Sequence, residues 1–95
     1  MDFDKLVHQP TRLQIFAYLY RHGETPFPEL VEALDVTEGN LSSHLQTMEE
    51  AGAVTVEKEF VDRKPQTSYD LTGEGEAAFE QHIDTLEALI ATLED

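Results

Sequence analysis

Apolar residues recur at helical spacing in the middle of the chain. Leu41, Leu45 and Met48 are separated by four and three residues, so they share one helix face that points to a core. Thr37 is placed to cap the first amides of this helix, and Gly52 is a typical stop at its far end. The pattern therefore predicts one amphipathic helix between Thr37 and Gly52.

Two helices are predicted before this one. Pro10 occupies a tolerated first-turn position of a helix that runs to about His22. Its apolar residues cover two sides, so we expect one side to meet another element or a second copy of the chain. The next helix covers 28–34, and a short turn joins it to the central helix. Two short helices joined in this way predict a helix-turn-helix at about 28–51.

After the central helix the hydrophobic period changes to two. Val54, Val56 and Phe60 alternate with polar residues, which predicts a half-buried strand with these three on its inner side. Lys58 shares their parity, so two roles are open to it: its stem can cover the core, or its cation can contact a partner. Residues 62–66 are predicted to be a loop before the return strand, giving a hairpin at about 54–71.

A last helix is predicted at about 73–93. Its apolar residues step by four and three over roughly two heptads, as in a coiled coil; this apolar seam consists of Phe79, Ile83, Leu86, Ile90 and Leu93. The seam can pack within the chain or against a second copy. We favour a dimer interface, to which Leu13 of the first long helix would contribute.

Composition limits the classes of function. The 95 residues are expected to form a single domain, 1–95, and the absence of Cys excludes disulfides and thiolate metal sites. Neither a membrane-length apolar run nor a signal-peptide pattern occurs, so we expect a cytoplasmic protein with no membrane partner. No Gly-rich phosphate loop or nucleophile–base set is present, so an enzyme is not expected.

The net charge of −14 has two possible explanations. It indicates either a partner other than nucleic acid or a surface adapted to a cytoplasm of very high salt, where screening weakens repulsion from phosphate. The placement of charge favours the second explanation, because Arg63 and Lys64 are adjacent at the predicted loop tip. In addition, no acid falls between Gly39 and Met48, although 20 of the 95 residues are Asp or Glu.

The order of these elements and several motifs resemble the winged helix-turn-helix transcriptional regulators of the ArsR/MarR-like group, in particular their small single-domain archaeal and bacterial branch. The similarity covers about residues 5–93. The motifs are Gln9-Pro10-Thr11-Arg12, Gly39 to Leu45, Glu50-Ala51-Gly52, Lys58-Glu59-Phe60, Arg63 to Thr67, and Tyr69 to Thr72 with Gly75. The resemblance implies an α+β fold, a winged helix-turn-helix with a long C-terminal dimerisation helix.

The resemblance also implies a homodimer on double-stranded DNA, with each central helix in a major groove and each wing on the backbone or in a minor groove. The recognition-helix candidates are Thr37, Gly39, Asn40, Ser42, Ser43, His44, Gln46 and Thr47, and the wing candidates are Arg63, Lys64, Gln66 and Thr67. Short polar side chains of this kind read base edges, and cations meet phosphate. A helix cap at Thr37, a solvated serine pair and a simply charged hairpin tip are the alternatives.

Sensing sites of this group do not transfer to the chain. Metal-binding relatives use Cys, or His with carboxylates, whereas His8, His22, His44 and His82 are scattered here without ligand spacing. We therefore expect no metal and no cofactor, and no small-molecule effector is evident from the sequence. The alternative function is an acidic winged-helix module that binds protein or mimics DNA within a transcription assembly.

Overall fold

The computed structural model describes residues 2–94, so Met1 and Asp95, the ends of the expected 1–95 domain, lie outside the described residues. The elements are α1 (Lys5–His8), α2 (Pro10–His22), β1 (Thr25–Pro26), α3 (Phe27–Leu34), α4 (Glu38–Glu50), β2 (Val54–Val61), β3 (Lys64–Leu71) and α5 (Gly73–Ala91). This order confirms the predicted α+β class and its long C-terminal helix. Within residues 2–94, no helix is both long and apolar enough to cross a membrane.

The helix-turn-helix consists of α3, α4 and the turn between them. Pro28 lies in the first turn of α3, where its missing N–H has no helical partner to lose. Asp35 ends α3 in the left-handed conformation, with φ 51°. Thr37 Oγ1 then accepts a hydrogen bond from the backbone N–H of Asn40 at 3.1 Å, so Thr37 caps α4 as its sequence position predicts.

The core is built around α2. Its Phe16 is buried and stacks on Phe79 of α5, with ring centroids 6.2 Å apart and an interplanar angle of 1°. The other buried apolar residues include Val7, Ile15, Leu19, Leu30, Leu41, Leu45, Met48, Val54 and Leu71. The three periodic residues of α4 therefore point inward as predicted. The apolar side of α2 that carries Leu13 and Tyr20 is only partly buried, since Tyr20 is exposed and Leu13 is half-buried.

The first turn of α5 is fixed to the chain just before β2. Thr72 Oγ1 donates a hydrogen bond to the carbonyl of Gly52 at 2.6 Å and accepts one from the N–H of Gly75 at 2.9 Å. The N–H of Thr72 donates to the carbonyl of Ala53 at 2.9 Å. Gly75 itself lies so close to that carbonyl that a side chain would have no room. Helix α5 and the base of the wing are thus one packed unit.

The three strands form an antiparallel sheet in the order β1-β3-β2. In the hairpin, Val54 lies opposite Leu71 and Val61 lies opposite Lys64. The predicted loop at 62–66 is wrong, because only Asp62 and Arg63 form the turn. Both have positive φ, 52° and 64°, as in the two-residue turns that match the twist of a hairpin. Lys64, Pro65 and Gln66 consequently belong to β3.

The distal half of β2 also differs from the prediction. Phe60 was expected on the inner side of a half-buried strand, but it is 78% exposed, and Lys58 is exposed as well rather than covering the core. Val54 is buried and Val56 is half-buried. The core thus ends at the base of the hairpin, and the rest of the wing extends beyond it.

Candidate nucleic-acid interface

One face of α4 is open to solvent along its length. Its exposed polar residues are those predicted from the sequence: Gly39, Asn40, Ser42, Ser43, Gln46 and Thr47. The buried Leu41, Leu45 and Met48 lie on the opposite side of the helix and pack into the core. Their packing on α2 fixes the direction in which the polar side chains project. The structure therefore presents a neutral hydrogen-bonding surface on a rigid element.

The polar groups of this face are not equally available. The Gln46 amide donates to the Glu50 carboxylate at 3.2 Å, and the Thr47 hydroxyl donates to the Ser43 carbonyl at 3.2 Å. Asn40 uses its backbone N–H for the helix cap, and its side-chain amide makes none of the hydrogen bonds found within the described part of the chain. Asn40 is thus the amide best prepared for an external partner.

His44 lies at the edge of the same helix, and its ring is half-buried beside Arg12 of α2. Arg12 Nη1 lies 3.2 Å from His44 Nδ1, and Arg12 Nε donates to the carbonyl of Leu6 at 2.7 Å. Since a guanidinium only donates, His44 Nδ1 accepts and the proton sits on Nε2. Burial lowers the pKa of His44, and the charge of Arg12 lowers it further. Arg12 therefore ties α4 to α1 and α2, a role that sequence reasoning missed.

The register of the hairpin separates the predicted wing residues onto different faces. Cross-strand partners share a face, so Lys64 and Gln66 lie with Val61 and Glu59. Thr67 lies on the other face, opposite Lys58. Arg63 is at the turn between the strands. The four wing candidates thus leave the hairpin on different faces, although Lys64, Gln66 and Thr67 line one cleft together with Phe27 of α3.

The face that carries Thr67 and Lys58 looks toward the helix-turn-helix. Tyr69 belongs to this face and packs near Phe27 of α3, with ring centroids 6.3 Å apart. Burial raises the pKa of Tyr69, and the charge of Glu49 at the end of α4 adds to the effect. We call this side of the wing, with its distal residues Lys58, Phe60, Pro65 and Thr67, the inner wing face. The inner wing face contains no carboxylate.

The predicted dimer residues occupy three kinds of environment. Phe79 is buried within the chain, and Leu13, Ile83 and Leu86 are half-buried. Ile90 and Leu93 are exposed by 54% and 78%, and Leu89 beside them by 38%. The apolar seam thus passes from the core of one chain to an uncovered surface at the far end of α5.

Two of the four histidines, scattered in sequence, meet in the structure. His8 Nδ1 lies 3.0 Å from His82 Nε2, which joins the end of α1 to α5, and the ring of Phe3 stacks on His8. Burial lowers the pKa of His82, and the neighbouring His8 lowers it further, with Asp4 acting in the opposite direction. Within residues 2–94, no group of three or more His, Cys, Asp or Glu side chains could hold a metal ion.

A helix-turn-helix followed by a β-hairpin and a closing helix defines a winged helix. Residues 11–90 match the family model of the winged helix DNA-binding domain, and the chain belongs to this family. An uncharacterised protein of Methanocaldococcus jannaschii is 34% identical over 79 residues, which are 83% of this chain and 86% of that protein.

Solved structures place the chain among transcriptional regulators. A transcriptional regulator homologue from Pyrococcus horikoshii OT3 has a TM-score of 0.88 at 32% identity, covering 95% of this chain and 89% of that one. A transcriptional regulator of the MarR family from Enterococcus faecalis V583 has a TM-score of 0.73 at 30% identity, covering 99% and 89%. These similarities confirm the predicted resemblance to MarR-like regulators.

Proposed function

We propose that the chain is a sequence-specific regulator of transcription that binds double-stranded DNA as a homodimer in a cytoplasm of high salt. The observation that carries this proposal is the exposed face of α4. It is free of acid from Gly39 to Met48 in a chain of net charge −14, and it is lined by short donors and acceptors. An α-helix of this kind fits the major groove, where each base pair presents a distinct pattern.

The roles within α4 follow from the hydrogen bonds. Asn40 can make a bidentate contact to adenine, and Ser42 and Ser43 can pair with several base edges. Gln46 contributes after it leaves Glu50. Thr37 and His44 act as positioning residues, because one caps the helix and the other is held by Arg12. In the wing, Arg63 and Lys64 meet phosphate, which fixes register without reading sequence.

The dimer is supported by the uncovered end of α5. Exposed apolar residues at four-and-three spacing are typical of a helix that pairs with a second helix. Leu89, Ile90 and Leu93 are 38%, 54% and 78% exposed, whereas Phe79 and Ile83 at the start of the apolar seam pack in or against the core. A second copy of α5 would cover them and place two recognition helices on one duplex.

The experiment distinguishes residues that read base edges from residues that only position the protein on the DNA backbone. A preferred site is first selected from random DNA in molar potassium chloride. On that site, Asn40→Ala is expected to cost about 1–3 kcal/mol and to relax preference at one base position per half-site. Arg63→Ala is expected to weaken binding almost equally on all sequences, since a phosphate contact carries no base information.

Gln81→Ala is the matched control for Asn40→Ala, because it removes an exposed amide from α5 instead of α4. It should bind DNA like the unmodified protein in fluorescence anisotropy titrations. If Asn40→Ala leaves both the affinity and the base preference unchanged, α4 does not read the major groove. If Arg63→Ala changes the base preference that Asn40→Ala changes, the wing reads a groove directly.

A further inference from the structure

The inner wing face has a chemical character that sets it apart from the rest of the surface. Phe60 is 78% exposed, and Pro65 lies directly opposite it in the strand register. The next pair on the same face, closer to the core, is Lys58 opposite Thr67. An exposed aromatic ring of this kind gains nothing from the fold of its own chain, since apolar surface is stabilised only when it leaves water. The feature therefore indicates an external contact.

The acidic residues of the wing strands lie on the opposite face, and Asp62 is at the turn between the strands. Glu57 and Glu59 alternate with Lys58 and Phe60 along β2, so their side chains point away from the inner wing face. Asp70 of β3 lies opposite Thr55, on the same outer side as the two glutamates. In so acidic a chain, a stretch with one cation, a ring, a proline and a hydroxyl but no carboxylate complements a polyanion. It does not complement a basic protein.

The direction of the inner wing face agrees with this partner. Tyr69 places the same face beside Phe27 of α3 and near Glu49 of α4, so it looks to the side where the helix-turn-helix lies. Phe60 is four residues further along β2 than Val56, which is about 13 Å at the rise of a β-strand. The ring thus stands well beyond the core, in the exposed distal half of the wing.

We propose that Phe60, backed by Pro65, is an apolar wedge that packs into the DNA minor groove beside each half-site, while Lys58 neutralises an adjacent phosphate. Apolar side chains used in this way partly unstack a base step, and pyrimidine–purine steps yield most easily. The wedge therefore gives preference for a flexible step outside the bases that α4 contacts. This inference rests on the proposed DNA-binding function and adds a second source of specificity to it.

The experiment compares Phe60→Ser, Phe60→Leu and Val61→Ser on the selected site. Val61 is the comparison residue, since it is a neighbouring exposed apolar residue that leaves β2 on the other strand face and lines the cleft beside Phe27. Phe60→Ser should lose affinity roughly ten-fold, as expected for an aromatic anchor, while Phe60→Leu keeps most of it and Val61→Ser all of it. The slope of log affinity against log salt should be unchanged in Phe60→Ser. In Lys58→Ala it should shift by about one counterion toward net cation uptake, because only the lysine releases a counterion.

A second set of DNA duplexes tests where the Phe60 ring contacts the DNA. When the flanking pyrimidine–purine step is replaced by a stiff A-tract, the unmodified protein should lose affinity and Phe60→Ser should not. Unfolding midpoints in urea should agree among the variants, since a packing role for Phe60 within the hairpin would lower the midpoint of Phe60→Ser. If Phe60→Ser binds DNA with the same affinity as the unmodified protein, the wedge is overturned. It is also overturned if Phe60→Ser changes the mass of the protein in light scattering, since the ring would then contact a second copy of the chain. If the unmodified protein selects no site, the proposed function fails together with the wedge.

Discussion

Gly75→Ala is expected to lower the free energy of unfolding by roughly 2–3 kcal/mol, the cost of overpacking at a site that cannot relax. A Cβ at Gly75 would collide with the carbonyl oxygen of Ala53, a backbone atom. That oxygen also accepts the N–H of Thr72, so it cannot move without breaking the joint between α5 and the wing. The better helix propensity of alanine offsets at most about 1 kcal/mol of this loss. Urea denaturation followed by circular dichroism measures the difference.

Gly73→Ala is the matched control for this substitution. Gly73 lies two residues earlier in the same turn of α5, and a Cβ there meets nothing within 4 Å. Its variant should unfold within about 0.5 kcal/mol of the unmodified protein, as surface changes usually do. Equal stability of the two variants would show that α5 can shift away from Ala53 and that the joint is loose.

Replacement of Ile90 and Leu93 by Asp together is expected to convert the proposed dimer to a monomer at about 10 µM protein. Two charges in a paired apolar seam lose the knob packing and repel their copies in the partner. Because both residues are exposed in the single chain, the fold itself should be retained. Ile83 is unsuitable for this purpose, since it packs partly against the core and a charge there would unfold the chain. Light scattering measures the mass.

Ala88→Asp with Thr92→Asp adds the same two charges about half a helix turn away from the seam. This control should remain dimeric. The monomeric variant should also lose roughly 100-fold or more in DNA affinity, because the second half-site is no longer bound within one assembly. A seam variant that stays fully dimeric would move the interface elsewhere, with α2 the next candidate through its half-buried Leu13 and exposed Tyr20.

Local signals in the sequence were sufficient for most of the fold. Thr37 and Thr72 are side-chain acceptors at the starts of α4 and α5, and both cap their helices, Thr37 as its sequence position predicts. The spacing of Leu41, Leu45 and Met48 predicted their burial, since period alone decides which side of a helix meets the core. The same reasoning gave the bounds of the hairpin.

The turn of the wing could not be predicted in the same way. Asp62 and Arg63 both adopt positive φ, which is uncommon outside glycine and leaves no mark in the hydrophobic pattern. The alternation in β2 placed Phe60 on the correct side of the strand but could not show how far the core extends beneath it. Exposure of Phe60 depends on where the helices end, which is a property of the whole fold.

Contacts between distant residues were also invisible in the sequence. Arg12 meets His44 across 32 positions, and His8 meets His82 across 74. In the same way, the regular seam of α5 gave no indication that Phe79 belongs to the core while Leu93 is uncovered. Periodicity identifies an apolar stripe, but tertiary packing decides which part of it remains for a partner.

The dependence of specific DNA binding on salt tests the central claim most directly. An ordinary DNA-binding protein loses affinity steeply as salt rises, because each neutralised phosphate releases counterions. In the proposed complex few cations would meet the DNA, and acids such as Glu57, Glu59 and Asp62 would take up cations as the duplex approaches. The fold should need salt as well, since the charge of −14 per chain is doubled in a dimer.

Fluorescence anisotropy with the selected duplex, measured in potassium chloride, should therefore show specific binding that persists from about 1 to 3 M and fades below roughly 0.5 M. A steep and continuous loss of affinity over that range would contradict adaptation to high salt. Absence of specific binding at every salt concentration, with the dimer shown to be folded, would contradict DNA recognition and favour a protein partner.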